Sequence, residues 1–224
     1  MASSLPHSQA AVRRIIALSV LILAVVVAGG ASLLTYTAVS ADRAQVAEER
    51  DLVAHAVDDD RERLVQQLTS VSVWDEGYAK LGGPRLDLAW ADINVGHYYA
   101  GDLGHDLSLI LDGRDTVVYG WRDKARITPV VAEAFRKDLG PLIADLRAQE
   151  AVNLRLTHLI APVGYEAVLT KSGVVVSGGV TYLVAAATVV PETGKIVRRP
   201  GPANILITAA KLDGPLLRNL EESL

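Results

Sequence analysis

The 224-residue sequence carries 22 Lys and Arg against 26 Asp and Glu, a formal net charge of −4, and no cysteine. That balance excludes the basic footprint of a nucleic-acid-binding protein. The lack of thiols excludes disulfides, cysteine metal ligands and a lipid-linked cysteine.

Residues 1–14 form a short N-terminus that is basic at Arg13 and Arg14 and has no acidic residue. Ile15 to Val39 then contains no charged side chain. At about 1.5 Å per residue this run spans roughly 37 Å as a helix, more than a hydrocarbon core of about 30 Å. It is also longer than the roughly 7–15 apolar residues of a signal peptide, so it reads as a retained anchor. Basic flanks stay cytoplasmic, which predicts a single inner-membrane span with everything after Ser40 exported. Without Arg13 and Arg14 the exported part has 20 basic against 26 acidic residues.

Residues 42–72 have no Gly or Pro, and apolar residues recur at Val46, Val53, Val57, Leu64, Leu68 and Val71. Steps of seven, four and three keep these on one stripe of a long helix. The stripe suits either an amphipathic helix covering a core or, being narrow, a stalk that pairs with a second copy, a homodimer through this helix. Arg50 and Asp60 interrupt a strict heptad. Trp74-Asp75 and Tyr78 follow, then a break at Gly82-Gly83-Pro84. A shorter helix is expected from Asp87, as its cap, to Tyr99, with Leu88, Ile93 and Val95 apolar.

The period then changes to two. Strands are expected at Asp106–Leu111 and Thr116–Trp121, joined by the turn residues Asp112-Gly113-Arg114-Asp115. Thr128-Pro129 opens a helix that runs to about Leu139. Gly140-Pro141 interrupts it, and a second segment continues to about Gln149. Strands at Gly173–Ser177 and Val180–Val190 flank Gly178-Gly179, a hairpin signal. Pro191 to Pro202 is a polar loop, Ala203–Ala210 a fifth strand, and Leu212-Asp213-Gly214-Pro215 the opening of a last helix. The expected fold class is α+β: a transmembrane helix and long stalk helix, then five antiparallel strands covered by helices over residues 73–224.

These pieces, in this order, resemble the fourth class of CHASE domains. The resemblance runs from about Asp51 to Leu220. It rests on Val73-Trp74-Asp75-Glu76-Gly77-Tyr78, Trp90-Ala91-Asp92-Ile93-Asn94, Gly104-His105-Asp106-Leu107 and Tyr182-Leu183-Val184-Ala185, with the closing Ile205-Leu206-Ile207. It implies a Cache- or PAS-like sensor sheet between two membrane helices. It also implies a cytoplasmic output on cyclic di-GMP, through GGDEF or EAL domains, or a histidine kinase. The sequence reaches Leu224 without a second apolar span, so either a fragment of a larger receptor or a truncated product is expected.

Candidate ligand-binding residues are Trp74, Asp75, Tyr78, Trp90, Asn94 and Tyr119. Spacing of four puts Trp74 with Tyr78 and Trp90 with Asn94 on shared helical faces. Two amphipathic rings beside a carboxylate suit a cationic or hydroxylated solute. The competing reading is structural, with Trp74 pinning the long helix to the sheet and Asp75 capping the segment that follows. His97 and His105 lack the spacing of a strong metal site. No catalytic motif is present, so no enzyme activity and no cofactor is expected. The expected partners are the membrane and an extracytoplasmic ligand or protein. The alternative is a tethered interaction or scaffold domain with no small ligand.

Overall fold

The computed structural model describes residues 18–23, 27–28, 51–83, 85–156 and 163–212, with side chains to residue 153 in the second-last of these stretches. The chain divides into two compact units, Met1–Ala54 and His55–Leu224. In the first, residues 18–23, 27–28 and 51–54 are helical, and Leu18, Leu21, Leu23 and Val27 are all exposed. Among the described residues no helix is long and apolar enough to cross a membrane. Most of the 15–39 run lies outside them, as do 1–14, 42–50, His158 and the expected last helix beyond Leu212.

The second unit is α+β. Helix α1 (residues 55–72) leads to α2 (Asp75–Leu81) and α3 (Leu88–Ala91), which continues as a π-helix over Asp92–Asp102. Strands β1 (Leu107–Leu111), β2 (Val117–Arg122) and β3 (Ala125–Arg126) follow, then α4 (Pro129–Asp138) and α5 (Gly140–Leu156). Strands β4 (Thr170–Ser177), β5 (Val180–Thr188) and β6 (Ile205–Lys211) complete one six-stranded sheet in the order β3-β2-β1-β6-β5-β4. Every strand pair in it is antiparallel.

Both faces of this sheet are covered, and the strands alternate accordingly. Ile110, Leu183, Ala185, Ala187 and Leu206 share a cluster with Leu64, Leu68 and Val71 of α1, Tyr78 of α2 and Val95 and Tyr99 of the π-helix. Leu107, Leu109, Tyr182, Val184 and Ile207 face Phe135 of α4 and Ile143 and Leu146 of α5. Two buried faces explain why the central strands read as continuous apolar runs. They also place the stripe: Leu64, Leu68 and Val71 are buried on the sheet, whereas Leu52 and Val53 are exposed.

Five strands were expected and six are present. The extra one, β3, returns through Asp123-Lys124, both with positive φ (51° and 67°). This is a two-residue hairpin turn built without Gly or Asn, so the usual turn signal is missing. Gly178 and Gly179, with φ of 58° and 80°, form the expected turn between β4 and β5. Asp87 does cap α3, accepting from the Trp90 N–H at 3.1 Å. The helix then runs three residues past Tyr99, and Leu88 and Ile93 are exposed rather than buried. In the π-helical stretch the Leu103 N–H reaches back five residues to the Tyr98 carbonyl. Thr128 holds the cap position of α4 with Pro129 at its first turn, but its side chain makes no capping bond. Helix α5 passes Gln149 and reaches Leu156.

Candidate functional site

Five of the six candidate residues lie on or just before α2, α3 and the π-helix, and Tyr119 stands on β2 in the same cluster as Tyr78; they form three groups. Trp74 is the extended residue before α2 (φ −158°), so it does not share a helical face with Tyr78. It packs on Trp90 instead, with ring centroids 5.3 Å apart and planes tilted by 42°. The Trp90 indole N–H donates to Glu76 Oε1 at 3.0 Å. Asn94 turns back on its own helix, donating to the Trp90 carbonyl at 3.0 Å.

Asp75 and Tyr78 hold the 191–202 loop. The Asp75 carboxylate accepts from the Thr193 N–H at 2.9 Å and from the Thr193 hydroxyl. Those bonds, the hydroxyl's first, hold its carboxyl below the usual carboxylate range. The buried Tyr78 accepts through its phenol oxygen from the Arg199 N–H at 2.8 Å. On the loop's other flank Arg198 approaches Glu150 at 3.6 Å, and Glu150 also accepts from the Ala203 N–H.

Tyr119 belongs to the third group. Its hydroxyl donates to the Ala91 carbonyl (3.3 Å) and Asp92 Oδ1 (3.2 Å), while Arg126 Nε donates to the same Asp92 oxygen at 2.6 Å. The arginine keeps Asp92 ionised below its ordinary range, and burial pushes the Tyr119 phenol well up. A cavity of about 130 Å³ opens here, lined by Leu88, Tyr119, Arg126 and Ile127 among others. A larger groove of about 460 Å³ lies elsewhere, between the α4–α5 corner and β4, and contains none of the six residues.

Sequence reasoning missed Glu76, Asp92 and Arg126, and it missed a buried polar link beneath α1. His105 is buried, its Nδ1 lies 2.8 Å from the Thr208 hydroxyl, and its Nε2 lies 3.0 Å from Gln67 Oε1. Its ring stacks on Tyr99 at 5.4 Å, and the Tyr99 hydroxyl donates to the Leu68 carbonyl at 3.3 Å. Burial lowers the His105 pKa to about 4. The signal available in the sequence was Thr208, a polar residue on the core-facing alternation of β6. His97, by contrast, lies exposed against Trp121 at 4.8 Å. Among the described residues no group of three or more His, Asp or Glu is placed to hold a metal ion.

The family model described as CHASE4 domain matches residues 56–224. The chain belongs to the CHASE4 domain family. No curated protein matches it.

Proposed function

We propose that this CHASE4-family chain is the extracytoplasmic input region of a membrane signalling receptor, with its sheet unit sensing and α1 carrying the response. The observation that carries the reading is how α1 is joined to the sheet. Leu64, Leu68 and Val71 are buried in one cluster with β1, β5 and β6. Gln67 is linked through His105 to Thr208 on β6. At the end of α1 the Ser72 carbonyl accepts from the Val190 N–H at 2.9 Å. A ligand that favours one placement of the sheet against α1 thereby shifts the helix population.

The uncharged run from Ile15 to Val39, with Arg13 and Arg14 before it, supports a single N-terminal span and an exported remainder. The output is proposed to be cyclic di-GMP turnover or a histidine kinase on a longer chain, and the sheet a Cache- or PAS-like sensor. The ligand is proposed to meet the Trp74–Trp90 pair and the Tyr119–Arg126 cavity, a combination suited to a small solute with polar groups. Asp75 and Tyr78 reach it only if the 191–202 loop is displaced.

The test is a thermal-shift screen of the full chain in mild detergent against small amines, polyols and carboxylates, with Trp74→Ala and Tyr119→Phe as controls. A hit weakened by either variant supports the ligand site. Hits that bind both variants like the wild type would show that the ligand sits elsewhere. One observation favours a partner protein instead: the Asp75 carboxylate and the Tyr78 hydroxyl are already satisfied by the chain's own loop. Co-purification of a stable partner, with no solute hit, selects that reading. Orientation is checked by an Asp123→Cys variant in intact cells, which a membrane-impermeant maleimide labels if the domain is exported.

A further inference from the structure

The two edges of the sheet are built differently. The β3 edge is two residues long, contains Arg126 and is preceded by Arg122, Asp123 and Lys124, the charged, short kind of edge that resists further pairing. The β4 edge is eight residues long, pairs with β5 in unbroken register and contains no proline. It has one lysine, Lys171, and leaves Val174 54% and Val176 62% exposed. The 460 Å³ groove runs along this edge, from Lys171 to Val176, beneath Asp138 and Leu142.

Register decides what the edge presents. The two-residue turn at Gly178-Gly179 makes Ser177–Val180 a hydrogen-bonded pair. The Thr188 N–H donates to the Leu169 carbonyl at the other end. Odd-numbered β4 residues therefore bond to β5, and Ser172, Val174 and Val176 turn their N–H and C=O groups outward. Val174 and Val176 stand on the face of Leu183, whereas Lys171 and Ser177 stand on the face of Tyr182, Asp138 and Leu142.

We propose that the β4 edge is a dimer interface, pairing antiparallel with β4 of a second copy about a two-fold axis through Val174. In that register Val174 meets its own counterpart and Val176 meets Ser172, which covers the exposed valines. Lys171 falls opposite Ser177 of the second copy. Ser177 donates to Asp138 at 2.6 Å, so each copy offers the other's lysine a carboxylate. Lys171 makes no ion pair among the described residues. The contact is isologous, so the same cation–carboxylate pairing occurs twice. It joins two sheets into one and leaves the exposed part of α1 unused.

The experiment is sedimentation of the full chain in mild detergent, with charge reversal at the edge. Lys171→Glu and Asp138→Lys are each expected to raise the dimer dissociation constant roughly tenfold, by placing like charges together. The Lys171→Glu/Asp138→Lys double variant is expected to recover dimerisation, a result that mere misfolding does not produce. The sequence has no cysteine, so Val174→Cys introduces the sole thiol. A short thiol-bridging reagent is expected to join two copies through it, and not through a Val130→Cys control on the exposed surface of α4. A chain that stays monomeric at high concentration overturns the proposal. So does a dimer that cross-links no better at position 174 than at 130, which would point to pairing through the long helix.

Discussion

Acidification should destabilise the sheet unit through His105 before it acts on the carboxylates. The ring is buried, and a neutral imidazole with its proton on Nε2 donates to Gln67 and accepts from the Thr208 hydroxyl at 2.8 Å, closer than that hydroxyl's other acceptor, the Leu107 carbonyl at 3.3 Å. Protonation would turn Nδ1 into a donor in a site with little water. Burial is the main cause of the low pKa; Arg63 adds to it, and Asp106 opposes it. The unfolded chain takes up this proton as pH falls through 6.5, but the folded chain does not until about 4. Stability is therefore lost progressively across that window, by about 3 kcal/mol at roughly 1.4 kcal/mol per pH unit. Asp75 and Asp92 have lowered folded values, so their contributions are present above the ordinary value of 3.8 and lost only below it. The assay is urea unfolding of the chain in mild detergent from pH 7.5 to 4, followed by tryptophan fluorescence. Trp74, Trp90 and Trp121 all lie in the sheet unit, so the signal reports on it alone. The wild type should lose about 3 kcal/mol more than His105→Gln between those limits. Parallel pH profiles would refute a buried neutral imidazole.

Leu68→Ala should cost about 2–5 kcal/mol by urea unfolding because the side chain is fully buried, while Leu52→Ala, at a 49% exposed position, should stay within about 0.5 kcal/mol. Glu150→Ala should cost about 3 kcal/mol, since Arg147 and the Ala203 N–H both lose a partner that is only 2% exposed. Glu150→Gln should cost less by retaining an acceptor for Ala203, and the two variants can be compared by their denaturation midpoints. Gly178→Asn should be nearly neutral in thermal melts and Gly178→Val should cost about 1–2 kcal/mol, because φ is +58° there.

The features that were legible in the sequence are those set by near neighbours. Gly178-Gly179 can adopt positive φ cheaply, so the hairpin announces itself; Asp123-Lys124 adopts the same geometry under tertiary constraint and gives no sign of it. The α1 stripe was visible by its period, but period alone does not say what covers it. Leu64, Leu68 and Val71 go to the sheet, and among the described residues Leu52 and Val53 are left exposed. The site residues were the hardest to read. Trp74 and Tyr78 are four apart, yet the helix begins between them, at Asp75. Asp75 finds its partner 118 positions away, in a loop whose path is decided by the whole fold. A carboxylate beside two rings looks the same in sequence whether it faces a solute or its own chain.

That last ambiguity has a physical consequence for how the unit would transmit a change. The sheet surface in the cluster with α1 includes Ala185 and Ala187, small side chains that offer few ridges to interlock with a helix. Apolar burial of Leu64, Leu68 and Val71 is non-directional and holds α1 down without fixing its axial position. Directional contacts must do that, and among the described residues they stand at two places: Gln67–His105–Thr208 and the Tyr99 hydroxyl on the Leu68 carbonyl near the middle, and Ser72–Val190 at the end. The second is the more exposed to events at the candidate site. Val190 immediately precedes the loop that Thr193 and Arg199 tie to Asp75 and Tyr78, and Val73, next to Trp74, bridges to Val190 directly. Displacing that loop therefore acts on the joint between α1 and β5 through a single residue, whereas a ligand in the Tyr119–Arg126 cavity must act through the π-helix and Tyr99. The shorter route makes the 191–202 loop, rather than the cavity, the element whose movement α1 is best placed to report.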